Sequence, residues 1–127
     1  MKISHLDHLV LTVADIEVSC QFYETVLGMQ RIIFADNRIA LAFGQQKINL
    51  HQVEKEIEPK AIVPTPGSAD LCFIVEDDIS KVLKKLHELA IPVIEGPVVR
   101  TGARHKLLSI YIRDPDNNLL ELANEIL

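Results

Sequence analysis

The sequence predicts an α+β protein built from two copies of one βαβββ module, and three observations lead to this prediction. The segments "DHLVLTVADI" at 7–16 and "ADLCFIVEDDI" at 69–79 share one apolar rhythm and lie about 62 residues apart. Each segment leads into a helical pattern and then into three strand candidates. A polar connector at 54–68, containing three prolines, separates the copies. Such a duplication predicts two mixed sheets with helices on the outside.

The first module, residues 1–53, opens with a strand candidate at 3–13 that is rich in Val, Leu and Ile. Asp15 is a suitable helix N-cap, apolar residues then recur at helical spacing, and Gly28 predicts the end of the helix. Further strands are predicted at 29–35, 38–43 and 47–53, separated by the turn sequences "ADNR" and "GQQ".

The second module, residues 69–127, repeats this order. A strand at 71–75 precedes a helix that is capped by Asp77 or Asp78 and ends before Pro92. Strands are predicted at 93–99, 107–113 and 119–124, with a long basic loop at 100–106 and a "DPDNN" turn at 114–118. The chain is therefore predicted to form a single domain over residues 1–127.

Composition argues against several classes of protein. The net charge is −5 and the 13 Lys and Arg residues are scattered, so nucleic acid is not expected as a partner. No apolar run approaches ~20 residues, and the N-terminus lacks the apolar stretch of a signal peptide, so no membrane association is expected. Cys20 and Cys72 lie within apolar patterns and are expected to be free, buried thiols, which is typical of a cytoplasmic protein.

Side chains alternate across a strand, so each predicted strand has one apolar face, expected to pack on the helices, and one more polar face. On the polar faces, His8 of the first strand corresponds to Asp70 of its copy. His51 of the fourth strand corresponds, in this prediction, to Glu121 of the last strand. Two imidazoles and two carboxylates facing one cavity would satisfy one another, and a divalent cation would satisfy all four.

Three motifs carry a resemblance to a known family, namely "LDHLVLTVADIEVSCQFYETVLGM" at 6–29, "SADLCFIVED" at 68–77 and "YIRDPDNNLLEL" at 111–122. With these motifs the chain resembles the vicinal oxygen chelate superfamily, which includes glyoxalase I, fosfomycin-resistance thiol transferases, extradiol dioxygenases and bleomycin-resistance proteins. The resemblance covers essentially the whole chain and looks nearest to a short branch of glyoxalase-domain-containing or virulence-associated proteins. It implies that the paired modules curve into a cup with a metal on its floor.

The resemblance also implies a set of metal ligands, His8, His51, Glu121 and Asp70, for a divalent Zn, Ni, Mn or Fe ion. Glu121 or Asp70 would in addition act as the catalytic carboxylate that moves a proton. His8 matches the first-strand histidine of the family and Glu121 its last-strand glutamate. His51, however, lies where glyoxalase I usually has a glutamate, and Asp70 where a histidine is usual. This exchange weakens a dioxygenase interpretation, because the metal site of such an enzyme would require two histidines and one carboxylate.

The function implied by the resemblance is a metal-dependent, glyoxalase-like isomerase or lyase acting on a small substrate chelated through vicinal oxygens. A thiol transferase or a dioxygenase on the same fold is an alternative. The other hypothesis is a non-catalytic small-molecule or antibiotic-binding protein of the bleomycin-resistance type. Aromatic residues make up only 5% of the chain, with no Trp, so few rings are available for stacking a drug. The resemblance further implies a homodimer whose sites each combine His8 and His51 of one chain with Asp70 and Glu121 of the other.

Candidate substrate contacts are polar residues of the inward faces and of the basic loop: Asn49, Arg100, Arg104, His105 and Tyr111. Arg100, Arg104 and His105, together with Lys106, form a local positive cluster in an acidic protein. Such a cluster indicates either an anionic substrate or a solvated loop. Tyr111 alternates with apolar neighbours and is expected to line the cup, unless its strand is a sheet edge.

Overall fold

The computed structural model describes all 127 residues as two compact units, Met1–Gly67 and Ser68–Leu127. Each unit contains one four-stranded mixed sheet and one helix in the order βαβββ, which confirms the predicted fold class and the duplication. Neither helix is long and apolar enough to cross a membrane.

The first unit contains strand β1 (His8–Val13), helix α1 (Ile16–Leu27) and strands β2 (Gln30–Phe34), β3 (Arg38–Phe43) and β4 (Gln46–Gln52). Its strand order is β1-β4-β3-β2, with β1 parallel to β4 and the other neighbours antiparallel. Strand β1 is shorter than the predicted 3–13, because pairing with β4 begins only where His8 lies opposite Lys47.

Helix α1 has the two caps that the sequence predicts. The Asp15 side chain accepts a hydrogen bond from the backbone N–H of Val18 at 3.1 Å, which satisfies one donor of the first turn. Gly28 ends the helix in the left-handed conformation, with φ 67°, and its N–H bonds the carbonyl oxygen of Tyr23. The ring of Tyr23 is fully buried on the inner face of the helix.

The second unit contains strand β5 (Asp70–Ile74), helix α2 (Ile79–Glu88) and strands β6 (Glu95–Thr101), β7 (Lys106–Arg113) and β8 (Leu119–Ile126). The strand order is β5-β8-β7-β6, so β5 and β6 are the edge strands. Asp78, one of the two predicted caps, begins helix α2, and its Oδ1 accepts from the N–H of Ser80 at 2.9 Å.

The predicted loop at 100–106 is wrong. Arg100 and Thr101 belong to β6, where they pair with Leu107 and Lys106 of β7, so only residues 102–105 form the connection. The basic composition suggested a loop, but an edge strand accommodates exposed charged side chains without loss of pairing.

The turn before β8 is built around a buried pair of side chains. Asn118 is 1% exposed, and its Nδ2 donates to Asp114 Oδ2 at 2.8 Å. Its Oδ1 accepts from the backbone N–H of Ala69 at 2.8 Å. Because Ala69 directly precedes β5, this turn fixes the start of that strand as well as the start of β8.

The core of each unit lies between the sheet and its helix. Alternation along the strands correctly predicts this face, whose buried members include Leu11, Val13, Ile48, Leu50, Leu120 and Leu122. The opposite face of each sheet carries the polar residues, and it is the face on which the candidate site residues lie.

Candidate functional site

Backbone pairing shows which residues of the two units are equivalent. His8 lies opposite Lys47 where β1 joins β4, and Asp70 lies opposite Leu119 where β5 joins β8. Both His8 and Asp70 are the first residues of parallel edge strands. The predicted equivalence of His8 and Asp70 is therefore confirmed.

The second predicted equivalence is wrong. Asn49 lies opposite Val10 in the first unit, and Glu121 lies opposite Cys72, the counterpart of Val10, in the second. Asn49 therefore occupies the position of Glu121, and His51 lies two residues further along β4. Residues two apart share a face of a strand, so alternation could not distinguish Asn49 from His51, and only the register does.

A pocket of about 490 Å³ opens on the polar face of the second sheet. It is lined by Asp70, Ile94, Glu95, Arg100, Tyr111, Arg113, Leu119 and Glu121. Four residues proposed from the sequence thus meet here: Asp70, Arg100, Tyr111 and Glu121. Three carboxylates and two guanidinium groups face this pocket, so it suits a polar or charged small molecule.

Two charged residues of this pocket were not identified from the sequence. Arg113 lies two residues after Tyr111 on β7 and therefore on the same face of the strand. Alternation alone was sufficient to predict that it lines the pocket. Glu95 lies opposite Tyr111, but the pairing shifts between Glu95 and Val98. Such a β-bulge changes which side chains share a face, and the sequence gives no clear sign of it.

Glu121 lies in the middle of the second sheet and is held by a donor on a neighbouring strand. The hydroxyl of Ser109 on β7, which is fully buried, donates to Glu121 Oε2 at 2.6 Å. On the other side, Cys72 of β5 lies opposite Glu121 in the strand pairing. A hydrogen bond such as that from Ser109 fixes the orientation of a carboxylate before any ligand arrives.

Cys72 is exposed on the edge strand β5, in contrast to the buried thiol that the sequence predicted, whereas Cys20 is buried as predicted. Desolvation of its sulfur, and next the charge of Glu121, raise the pKa of Cys72 to about 11. The thiol is therefore protonated at neutral pH, and a protonated thiol is not a nucleophile.

Arg100 is oriented inside the pocket by two neighbours. Its Nε donates to the hydroxyl oxygen of Tyr111 at 3.0 Å, and Cζ lies 5.5 Å from the Tyr111 ring centroid. An ion pair of 3.4 Å joins Arg100 Nη2 to Glu95 Oε2. The guanidinium is thus positioned to receive an anionic group while its charge is partly balanced.

Arg104 and His105 lie in the connection between β6 and β7 and do not line this pocket. Arg104 is exposed, and His105 Nε2 lies 3.8 Å from Glu125 Oε2. The positive cluster predicted from the sequence is therefore divided, because Arg100 belongs to a strand and the other residues to its hairpin end.

His8, in the first unit, presents one free ring nitrogen. Its Nδ1 lies 2.8 Å from Asp7 Oδ2, and because an ionised carboxylate only accepts, Nδ1 carries the hydrogen. The hydrogen bond from His8 lowers the pKa of the Asp7 carboxyl group. In the neutral form of the ring, Nε2 would carry the lone pair, the arrangement usual for a metal-binding histidine with a carboxylate behind it.

His51 has a different environment, in which its Nε2 is already engaged. The residue is 4% exposed, and Nε2 lies 3.2 Å from Arg38 Nη2. A guanidinium cannot accept, so His51 is the acceptor and is neutral with hydrogen on Nδ1. Burial, and next the charge of Arg38, lower the pKa of His51, which agrees with this tautomer.

His8 and His51 do not come together within the first unit. In the β1–β4 register, His8 pairs with Lys47 and His51 pairs with Thr12. These two pairs are four positions apart, which is about 13 Å along strands that rise roughly 3.3 Å per residue. Nowhere in the structure do three or more His, Cys, Asp or Glu side chains gather in an arrangement that could hold a metal ion. Of the four predicted ligands, Asp70 and Glu121 share a pocket, and His51 instead bonds Arg38.

The neutral state of His51 predicts a loss of stability in mild acid. Since the folded state lowers the pKa of His51 below 6.5, the unfolded chain binds the proton first as the pH falls. The stability that neutral His51 contributes is therefore fully present above about pH 6.5 and declines below it. Urea unfolding of the wild type and of His51→Gln, at about pH 7.5 and about pH 5.5, measures this contribution.

We expect the decline between these two pH values to be smaller in His51→Gln than in the wild type. The control His87→Gln, on an exposed position of helix α2, is expected to keep the wild-type decline. An equal decline in His51→Gln and the wild type would show that His51 does not carry this pH dependence.

Comparison with known proteins agrees with this fold. Residues 5–122 match the family described as the Glyoxalase/Bleomycin resistance protein/Dioxygenase superfamily. The chain is 56% identical over 126 residues to virulence protein STM3117 of Salmonella typhimurium, covering 99% of this chain and 88% of that protein. The crystal structure of that virulence protein matches with a TM-score of 0.98, covering 99% of this chain and 100% of the other.

Two further relatives have informative names. The glyoxalase domain-containing protein RDO1 of Mycosarcoma maydis is 56% identical over 124 residues, covering 98% of this chain and 70% of that protein. The metallothiol transferase FosB of Bacillus licheniformis is 33% identical over 129 residues, covering 95% of this chain and 75% of that protein. The chain therefore belongs to the glyoxalase/bleomycin resistance/dioxygenase superfamily.

Proposed function

We propose that this chain is a metal-dependent, glyoxalase-like enzyme that acts on a small substrate with neighbouring oxygen atoms. The observation that carries the proposal is the Glu121 carboxylate, whose Oε2 accepts a hydrogen bond from the buried hydroxyl of Ser109 inside a polar pocket. A carboxylate fixed in this way suits both cation binding and proton transfer. The relative named metallothiol transferase, at 33% identity, adds support for a metal in this superfamily member.

The residues present fit a divalent ion through their donor atoms. In the homodimer proposed below, the ligands would be a carboxylate oxygen of Glu121 and one of Asp70 from one chain, and Nε2 of His8 from the other chain. A mixed nitrogen and oxygen set suits Zn, Ni, Mn or Fe. His51 is left out of the ligand set because its Nε2 accepts from Arg38. A bound ion would supply Lewis acidity toward a substrate oxygen.

The pocket residues then have separable roles. The guanidinium of Arg100, positioned by Tyr111, would bind a substrate oxygen and stabilise negative charge that develops on it. Asp70 or Glu121 would accept a proton from the carbon beside a substrate carbonyl through a carboxylate oxygen and return it at the neighbouring atom. Arg113, on the same pocket wall, would attract an anionic portion of the substrate. This sequence of proton transfers is that of an isomerase or a lyase.

The second candidate function is a small-molecule-binding protein without catalysis. It is favoured by the two arginines of the pocket, which could hold an anionic ligand without any metal. Binding alone would need neither His8 nor a proton-accepting carboxylate, so metal content separates the two candidates. A thiol transferase or a dioxygenase would also need the metal. Metal content therefore cannot distinguish either of them from an isomerase, and only the substrate that is turned over can.

Metal analysis of protein purified without chelator tests the enzyme proposal. We expect roughly one divalent ion per chain in the wild type, and much less in His8→Ala, because the imidazole ligand is lost. The control His87→Ala removes an exposed histidine of helix α2 and should keep the wild-type metal content. A wild type that binds no divalent metal even after reconstitution would favour the binding protein.

For metal-loaded protein, a substrate screen identifies the reaction. The compounds to test are 2-oxoaldehyde–thiol adducts, epoxides and catechols, which represent the isomerase or lyase, the thiol transferase and the dioxygenase. We expect turnover of the first class, since the pocket combines carboxylates with an oriented guanidinium.

We also propose that the chain forms a homodimer. Its edge strands β1 and β5 expose apolar side chains, with Val10 44% and Ile74 53% exposed. Edge strands with exposed apolar residues are surfaces that natural proteins usually cover. Light scattering across a dilution series is expected to give the mass of a dimer, and a monomer at every concentration would contradict this proposal.

A further inference from the structure

The polar face of the first sheet carries two cations beside a single aromatic ring. Lys47 Nζ lies 3.6 Å from the ring centroid of Phe34, and Arg38 Cζ lies 5.0 Å from the same centroid. Neither cation forms an ion pair with a carboxylate. Asp7 is close enough for Lys47 to lower its pKa, but its carboxylate bonds His8. Two positive charges therefore share a small area without a direct counter-charge.

Unsatisfied polar atoms lie on the same face. Asn49 is 4% exposed, and its Oδ1 is buried without a hydrogen-bond partner. The Nε of Arg38 is likewise buried without a partner. Buried polar atoms without partners are uncommon in proteins, and where donors and acceptors of this kind gather they can bind the polar group of a ligand.

The strand beside Asn49 and Lys47 has small side chains at the facing positions. Ala40 lies opposite Asn49, and Ala42 lies opposite Lys47, so at these two positions strand β3 presents only methyl groups on this face. His51 fixes the Arg38 guanidinium by accepting from Nη2. Because His51 is neutral in that hydrogen bond, it adds no further positive charge.

We propose that Lys47, Arg38 and Asn49 form an oxyanion-binding site for a phosphate-like group of a small molecule. Lys47 would donate from Nζ and Arg38 from Nε, while Asn49 Oδ1 would accept from a protonated oxygen of the ligand. A hydrogen phosphate group supplies both the negative charge and that O–H, whereas a carboxylate supplies only the charge. Phe34 keeps the two cations close together. The site needs no metal and uses none of the second-unit pocket, so it goes beyond the function proposed above.

Titration of ¹⁵N-labelled, metal-stripped protein followed by NMR tests the site. The probes are inorganic phosphate and acetate, added at constant ionic strength. We expect chemical-shift changes centred on Phe34, Arg38, Lys47 and Asn49, with phosphate bound more tightly than acetate. Changes centred on Arg100 and Arg113, or no saturable change with either anion, would overturn the proposal. Because the wild type alone gives this answer, the test does not depend on the folding of a variant.

Variants then measure the contribution of the lysine. Lys47→Gln is expected to weaken phosphate binding by about tenfold or more, since a charge-assisted hydrogen bond is lost. Lys47→Arg keeps the charge and is expected to retain most of the affinity. The control Lys84→Gln makes the same charge change on exposed helix α2 and is expected to alter affinity by less than about twofold. Equal weakening by Lys47→Gln and Lys84→Gln would overturn the site.

Discussion

Replacing Glu121 by glutamine is expected to lower divalent-metal affinity by about 100-fold or more and to abolish turnover. Changes to residues that merely orient a ligand typically cost about 10- to 100-fold in metal affinity, so the loss of a charged ligand should cost at least as much. Glutamine keeps the size of the side chain and can still accept from Ser109, so the sheet should be preserved. Calorimetric titration of metal-stripped protein with Zn²⁺ or Mn²⁺ measures the change.

Two further variants isolate the role of this carboxylate. Glu88→Gln removes the same charge from an exposed position at the end of helix α2 and should leave metal affinity within about twofold. Ser109→Ala removes only the hydroxyl that orients Glu121, and an intermediate loss of about 10-fold is expected. Wild-type affinity in Glu121→Gln would rule out Glu121 as a ligand.

Replacing Asn118 by alanine is expected to destabilise the protein by about 2–5 kcal/mol. The change removes the hydrogen bonds that Asn118 makes with the N–H of Ala69 and with Asp114 Oδ2, and each loss inside the protein costs about 1–3 kcal/mol. Because Ala69 immediately precedes Asp70, the variant should also loosen the edge of the pocket. Urea unfolding measures the effect on stability.

Gln45→Ala, in the exposed turn between β3 and β4, is a suitable control for this variant. Surface changes of that kind usually alter stability by less than about 0.5 kcal/mol. A loss of less than about 1 kcal/mol in Asn118→Ala would mean that the buried network contributes little. The "DPDNN" segment would then be an ordinary turn, as its composition alone suggested.

Local signals in the sequence were sufficient for much of the fold. Asp15 and Gly28 mark the ends of helix α1 because capping and left-handed termination depend on a few neighbouring residues. The buried face of each sheet followed from alternation, since solvent exclusion acts on every second residue of a strand. The duplication indicated two mixed sheets, one in each copy, because each copy repeats the same order of elements.

The candidate site required information that no single segment contains. Asn49 and His51 share one face of β4, and only the pairing with β1 shows that Asn49 is the counterpart of Glu121. The tautomer of His51 depends on Arg38, which lies on another strand. Glu95 reaches the pocket beside a bulge, a feature set by tertiary packing.

The corrected register also changes how the duplicated modules are understood. At the first equivalent position, His8 stands in one copy and Asp70 in the other; at the second, Asn49 stands in one and Glu121 in the other. The first copy thus carries an imidazole and an amide, and the second copy carries two carboxylates. In the chemistry proposed here, the second copy supplies the two carboxylates that bind the metal and move a proton. The first copy supplies His8 as a further metal ligand and the cations of the proposed phosphate-like site.

The most direct test of the metal assignment is paramagnetic NMR with Mn²⁺. A bound Mn²⁺ ion broadens the amide signals of nearby residues, so substoichiometric addition to ¹⁵N-labelled protein locates the ion without crystals. We predict that the signals around His8, Asp70 and Glu121 broaden first, while those around His51 persist. First broadening around His51, or equal broadening along the whole chain, would contradict the assignment.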